Sequence, residues 1–184
     1  QRCLSALARV AGVVTRMGGA AVNDPDVMKS VLGELRRRDL PFLRLLFAKA
    51  SVKISPPAKY LLRKMESLPW LRDEVNLLLS LSEQEQHGFV QLVLVSTTTR
   101  LQVFELLKHV MNQGEKLSRR AACTGLTEFR GGEANQLVAN ALDDPDPEVQ
   151  AAAIGQVRDR GMRGVLHRLV DLVDSPHEVV QLAA

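Results

Sequence analysis

The phrase "DDPDPEVQAAAIGQV", beginning at Asp143, is followed about thirty residues later by "DSPHEVVQLAA", beginning at Asp174. A fixed period of 20–50 residues marks a chain built by stacking one small unit, so this repetition constrains the fold more than composition does. Val149 and Val179 are 30 residues apart, and Ser118 of "SRRAACTGL" precedes Val149 by 31. Upstream, "LPFLR" at Leu40 returns as "LPWLR" at Leu68, and Arg44, Arg72 and Arg100 follow one another at steps of 28. The content of each period is helical. In "VLHRLVDLV" the apolar residues Val165, Leu166, Leu169, Val170 and Val173 recur at steps of three and four, and "LQVFELLKHV" does the same with Leu101, Phe104, Leu107 and Val110 or Met111. No run alternates with period two and no Asn-Gly or Asp-Gly hairpin turn occurs. Two short helices in every 28–31 residues predict an all-α chain, an α-solenoid of antiparallel helix pairs whose single core exists only because neighbours stack.

Five units are expected: about Asp26–Ser55, Pro56–Ser82, Glu83–Gly114, Glu115–Asp144 and Pro145–Ser175. Residues before Asp26 read as the end of an earlier unit or a cap, and residues after Ser175 open a sixth. With Gln rather than Met at position 1, residues 1–184 are expected to be a single solenoid segment of a longer chain. Helix starts carry capping chemistry. Asp146 can cap free N–H groups with Pro147 at the first helical position, where its missing N–H costs nothing. Ser175 with Glu178, Ser82 with Glu85, and Thr99 with Gln102 read as capping boxes.

Apolar residues make up 46% of the chain and charged residues 24%, which excludes a disordered composition. No stretch approaches the roughly 20 apolar residues that span a bilayer, and Arg9 interrupts the mildly apolar segment Leu4–Val14. Two cysteines, Cys3 and Cys123, make neither a disulfide framework nor a zinc site, so a reducing, cytoplasmic compartment is expected. A net charge of +3 and 4% aromatics are both low for a dedicated nucleic-acid binder, which concentrates cations and stacking platforms on one face.

The Asp-Pro turns, the valine that follows them and the small residues Ala152, Ala153, Ala183 and Ala184 resemble the first helix of HEAT repeats, a HEAT/armadillo-like α-solenoid family. The resemblance is close over about Ser118–Ala184 and weaker upstream, where the period and the "LP-aromatic-LR" phrase persist. Where the family pattern places Arg after Val, this chain has Gln150 and Val180, so an Asp–Arg ladder is interrupted there. The resemblance implies a non-catalytic scaffold that binds a protein or peptide partner, with an acidic one among the candidates, over a concave face lined by second helices. Two other members of the class set the alternatives. DNA glycosylase-like proteins hold duplex DNA in such a groove, and phycobilin lyase-like proteins act on phycobiliproteins. A structural spacer in a larger protein is the remaining reading.

Chemistry-bearing patterns are sparse. Among His87, His109, His167 and His177 there is no His-Glu-x-x-His, and the chain has no Cys-x-x-Cys, so no metal site and no cofactor is expected. Glu105/His109 and His167/Asp171 fit solvated i,i+4 pairs. Cys123 sits where a small buried residue is wanted and has no neighbouring base in sequence, which makes it structural. "STTT" at Ser96–Thr99 joins two helices, and "RRR" at Arg36–Arg38 closes one, with its cations favoured by the helix dipole. The sharpest series is Arg44, Arg72 and Arg100, in equal phase near the starts of second helices. It reads either as a basic stripe, extended by Lys49 and Lys108, or as an internal ladder with partners such as Asp73 and Glu74. The candidate partner-binding residues are Arg44, Arg72, Arg100, Asn76, Glu105, Lys108, Arg163 and Arg168.

Overall fold

The computed structural model describes residues 80–96 and 98–184, with residues 44, 47, 48, 50–52, 54, 63 and 78 ahead of them. The chain forms two compact units, Gln1–Thr99 and Arg100–Ala184. Every regular element among the described residues is a helix, and the fold is all-α. Arg72, Asn76, Lys49, Asp73, Glu74 and the Arg36–Arg38 run lie outside the described residues.

In the first unit, α1 (Glu83–Val95) starts where the capping box predicts. The Ser82 backbone N–H donates to Glu85 Oε2 at 2.8 Å and its hydroxyl donates to the same oxygen at 2.9 Å. Glu83 and Glu85 in the first turn also suit the positive end of the helix dipole. The helix buries Gly88, Phe89, Val90, Leu92 and Val93, and Phe89 meets Phe47 edge-to-face with ring centroids 5.1 Å apart. Gly88 is required by close approach. A Cβ added there would lie 1.7 Å from the Phe47 carbonyl oxygen and 2.8 Å from the Ser51 nitrogen, so α1 and the helical residues around Phe47 meet backbone to backbone.

The second unit runs α2 (Arg100–Gln113), α3 (Lys116–Gly125), a 3-10 turn (Leu126–Glu128), α4 (Gly132–Ala141), α5 (Pro147–Arg160), a 3-10 turn (Arg163–Val165), α6 (Leu166–Val173) and α7 (Glu178–Ala183). Short turns fold each helix back on the last. The first helices α3, α5 and α7 stack on one another in a row, while α2 reaches α3 and α4, and α4 packs on α5. This is the α-solenoid arrangement. At α5 the Asp146 side chain accepts from the backbone N–H groups of Glu148 and Val149, with Pro147 at the first helical position. The helix ends at Gly161, whose φ of 63° is the left-handed cap that glycine adopts without a Cβ penalty.

The core fixes the repeat register. Ser118, Val149 and Val180 are each fully buried, as are Ala122 and Ala153, at steps of 31. Val149 therefore corresponds to Val180, not to Val179, and Gln150 corresponds to Gln181. The shift arises at the turn. Ser175 is buried, and its hydroxyl accepts the His177 N–H at 3.3 Å. The helix opens at Glu178 with His177 at the cap position, so the box expected between Ser175 and Glu178 does not form.

Two apolar stripes are corrected. On α2 the buried set is Val103, Leu106, Leu107 and Val110, while Leu101 is 71% exposed. The burial thus lies one step around the helix from the expected face, toward α3. On α6 the stripe of Leu166, Val170 and Val173 is exposed and no residue of the helix is buried, because α6 contacts chiefly α7 and the preceding turn.

Candidate interaction surface

The cations separate into those that meet a carboxylate and those that do not. Arg44, in the first unit, points its Nε at Glu85 Oε1 at 3.1 Å and donates from Nη2 to the Ser80 carbonyl at 3.2 Å. Burial pushes the Glu85 carboxyl up, but the Ser82 N–H and hydroxyl and the Arg44 guanidinium outweigh it and hold the group below its ordinary value.

In the second unit, Lys108 on α2 bonds Glu133 at the start of α4, with Glu105 Oε2 4.0 Å away. The Glu133 hydrogen bond, then the charges of Glu105 and Glu133, push Lys108 above the usual lysine value. Arg168 on α6 pairs with Asp143 just past α4. Lys108 and Arg168 thus join successive second helices through ion pairs. Glu105 is exposed one turn from Lys108, and Arg163 is exposed in the 3-10 turn before α6. Arg100 opens α2, donates to the Glu128 carbonyl and lies over the Phe129 ring with its Cζ 5.1 Å from the centroid. Phe129 also packs on Phe104 at 5.3 Å. Of the Arg44–Arg72–Arg100 series, the two described members both use their guanidinium groups on neighbouring chain: Arg44 on a carboxylate and Arg100 on a carbonyl and a ring.

Sequence reasoning missed the strongest pair. Arg119 on α3 grips Asp144 with both ends of its fork, Nε to Oδ2 and Nη2 to Oδ1 at 2.8 Å each, and donates from Nη1 to the Gly114 carbonyl at 2.8 Å. Asp144 Oδ1 also accepts the Asp146 N–H at 2.9 Å, so the carboxylate ties the end of one helix pair to the cap of the next. The Asp144 hydrogen bond and charge push Arg119 above its ordinary value against the cost of burial. The signal was present, since Arg119 stands at the position that Gln150 and Gln181 occupy 31 and 62 residues later. Gln181 keeps half of that role. Its amide reaches back to the Ser175 carbonyl at 2.7 Å.

Residues 104–184 match the family model of HEAT repeats. Over this segment the chain is similar to HEAT repeats. The match starts upstream of Ser118, within α2, and spans the Arg119–Asp144 pair. No curated protein and no solved structure matches the chain. HEAT repeats generally mediate protein–protein interaction and are generally non-catalytic.

Cys123 is fully buried, and burial above all pushes its thiol up to about 12, so it carries no reactive thiolate near neutral pH. No group of three or more His, Cys, Asp or Glu suited to a metal ion occurs among the described residues. Among the same residues no helix is long and apolar enough to cross a membrane.

Proposed function

We propose that the chain is a non-catalytic scaffold that binds a protein or peptide partner over the surface of its second helices, chiefly α2 and α4. The observation that carries this reading is the division of those helices into two sides. Val103, Leu106, Leu107 and Val110 of α2, and Ala134, Leu137, Val138 and Ala141 of α4, face the core. Their other sides present Glu105, Asn112, Glu133, Gln136 and Asn140 to solvent. The Lys108–Glu133 ion pair and the Gln136–Asn140 hydrogen bond at 2.8 Å hold this polar surface in a fixed arrangement. Preformed polar groups of both signs suit side chains and main chain of a partner, and they lose little entropy on binding.

A nucleic-acid backbone is less well served. Among the described residues six cations, Arg44, Lys108, Arg119, Arg120, Arg158 and Arg168, already lie against carboxylates and are not free to replace counterions along a phosphate chain.

The reading is tested by placing a photo-crosslinking amino acid at Glu105, at Gln136 and at Thr124, in the intact protein in its own cells. Thr124 is an exposed position on the first helix α3. Protein adducts from the first two positions and not from Thr124 support the proposal. Adducts from Thr124 alone, or none from the second helices, would remove it.

A further inference from the structure

The 3-10 turn after α3 and the loop that follows it gather three arginines, none of them in an ion pair with a described carboxylate. Arg100 reaches the Glu128 carbonyl from α2 and covers one face of Phe129. Arg160 arrives from α5. Its Nη1 donates to the Phe129 carbonyl at 2.9 Å and to Asn135 Oδ1 at 3.0 Å, its Nη2 donates to the Leu126 carbonyl, and its Nε donates to Gln156 Oε1 at 3.2 Å. Arg130 stands in the loop itself, exposed, and its side chain bonds no described residue. The three positions, 100, 130 and 160, are 30 residues apart, and they lie at the start of α2, in the loop before α4 and at the end of α5.

What separates these arginines from the other cations is the identity of their partners. Each acceptor of Arg100 and Arg160 is a carbonyl or an amide oxygen, which satisfies the N–H groups but cancels no charge. Burial, and then the like charge of Arg130, hold the Arg160 guanidinium below the ordinary arginine value. Glu128 supplies the single carboxylate on the loop. Its near neighbours Glu133 and Asp159 are occupied by Lys108 and Arg158.

The backbone adds to this field. Gly131 caps α4 with φ of 126° and no side-chain hydrogen bond, and a Cβ at Gly131 or Gly132 would meet nothing within 4 Å. The free N–H groups of the first turn of α4 are therefore open to a ligand, at the positive end of the helix.

We infer that the Glu128–Gly132 loop, bracketed by Arg100, Arg130 and Arg160, is a docking point for an acidic peptide segment of a partner, whose carboxylates sit against Arg130 and the open first turn of α4. The inference rests on the interaction reading above and gives the partner a charge. An acidic peptide fits better than a nucleic acid. The patch spans one loop rather than a track of phosphates, and one face of its aromatic ring is already covered by Arg100.

The test is fluorescence anisotropy of labelled decaglutamate, decaglutamine and a ten-nucleotide single-stranded DNA against the 184-residue chain, at 50 mM and 200 mM salt. The variants are Arg130→Glu and Lys116→Glu, which change net charge equally at exposed positions on the loop and on α3. The expected result is that decaglutamate binds, weakens with salt and loses at least tenfold in affinity with Arg130→Glu, while Lys116→Glu stays within twofold and both variants melt as the parent does. Decaglutamine should not bind. The inference is overturned if decaglutamate does not bind, if both variants weaken it equally, or if the DNA binds more tightly than the peptide. The crosslinking experiment probes a different surface, so either result can fail without the other.

Discussion

Replacing Arg119 by Ala should cost the second unit more stability than the same change at any other described cation. The side chains of Arg119 and Asp144 are 18% and 8% exposed, so the pair is largely withdrawn from water. Breaking a buried pair by removing one partner costs roughly 3–5 kcal/mol, because the remaining charge is left without compensation. Asp144 retains the Asp146 N–H, which places the loss near the lower end, about 3 kcal/mol. For a unit below about 100 residues that corresponds to a fall in Tm of about 12–24 °C. Arg119→Gln should lose less than Arg119→Ala, since an amide can reach the Gly114 carbonyl as Gln181 reaches that of Ser175. The double variant Arg119→Ala/Asp144→Ala should recover part of the loss, because it removes the stranded carboxylate with its partner. Thermal and urea melts of the parent, Arg119→Ala, Asp144→Ala and the double variant, followed by circular dichroism at 222 nm, close the cycle. A fall of less than about 3 °C for Arg119→Ala, or strict additivity in the double variant, would refute the reasoning by showing that the pair is solvated and uncoupled.

Gly88→Ala should destabilise the first unit by about 3 kcal/mol, at the upper end of overpacking costs, because the new methyl group meets the backbone of Phe47 rather than a side chain that can turn aside. A urea midpoint unchanged from the parent would count against the backbone contact. For Cys123 the sign follows from its two protonation states. The unfolded thiol ionises near 9.0 while the folded one holds its proton to about 12, so above pH 9 the unfolded chain binds fewer protons and stability falls as pH rises. In a Cys3→Ser background the thiol should stay unreactive to Ellman's reagent until the unit unfolds, and Cys123→Ala should flatten the decline in Tm between pH 9 and 10.5. Rapid labelling of the native protein at pH 8 would contradict the burial.

The helical class, the period near thirty and the Asp146–Pro147 cap were all legible in the sequence, because each depends on interactions within a few residues. A 3.6-residue apolar rhythm, a capping side chain next to its own helix and a repeated turn phrase need no knowledge of what lies across the core. The resemblance to HEAT repeats followed from the same local phrases and holds for residues 104–184. The register of the last unit was not legible. "EVQAA" and "EVVQLA" align equally well by valine, and only the burial of Val180 in place of Val179 chose between them.

The roles of the charges belonged wholly to the tertiary structure. Arg100, Arg119 and Arg160 are all arginines close to helix ends, yet one covers a ring, one grips a carboxylate 25 residues away and one is held by carbonyls. Sequence spacing places a side chain on a face, but its partner is set by how neighbouring pairs stack, and stacking is decided by packing over many residues at once. The sequence determined that the described residues would form helices and where α1 and α5 start. The tertiary structure alone decided which described cations meet a carboxylate and which do not, because desolvation and pairing depend on distances that a periodicity does not contain.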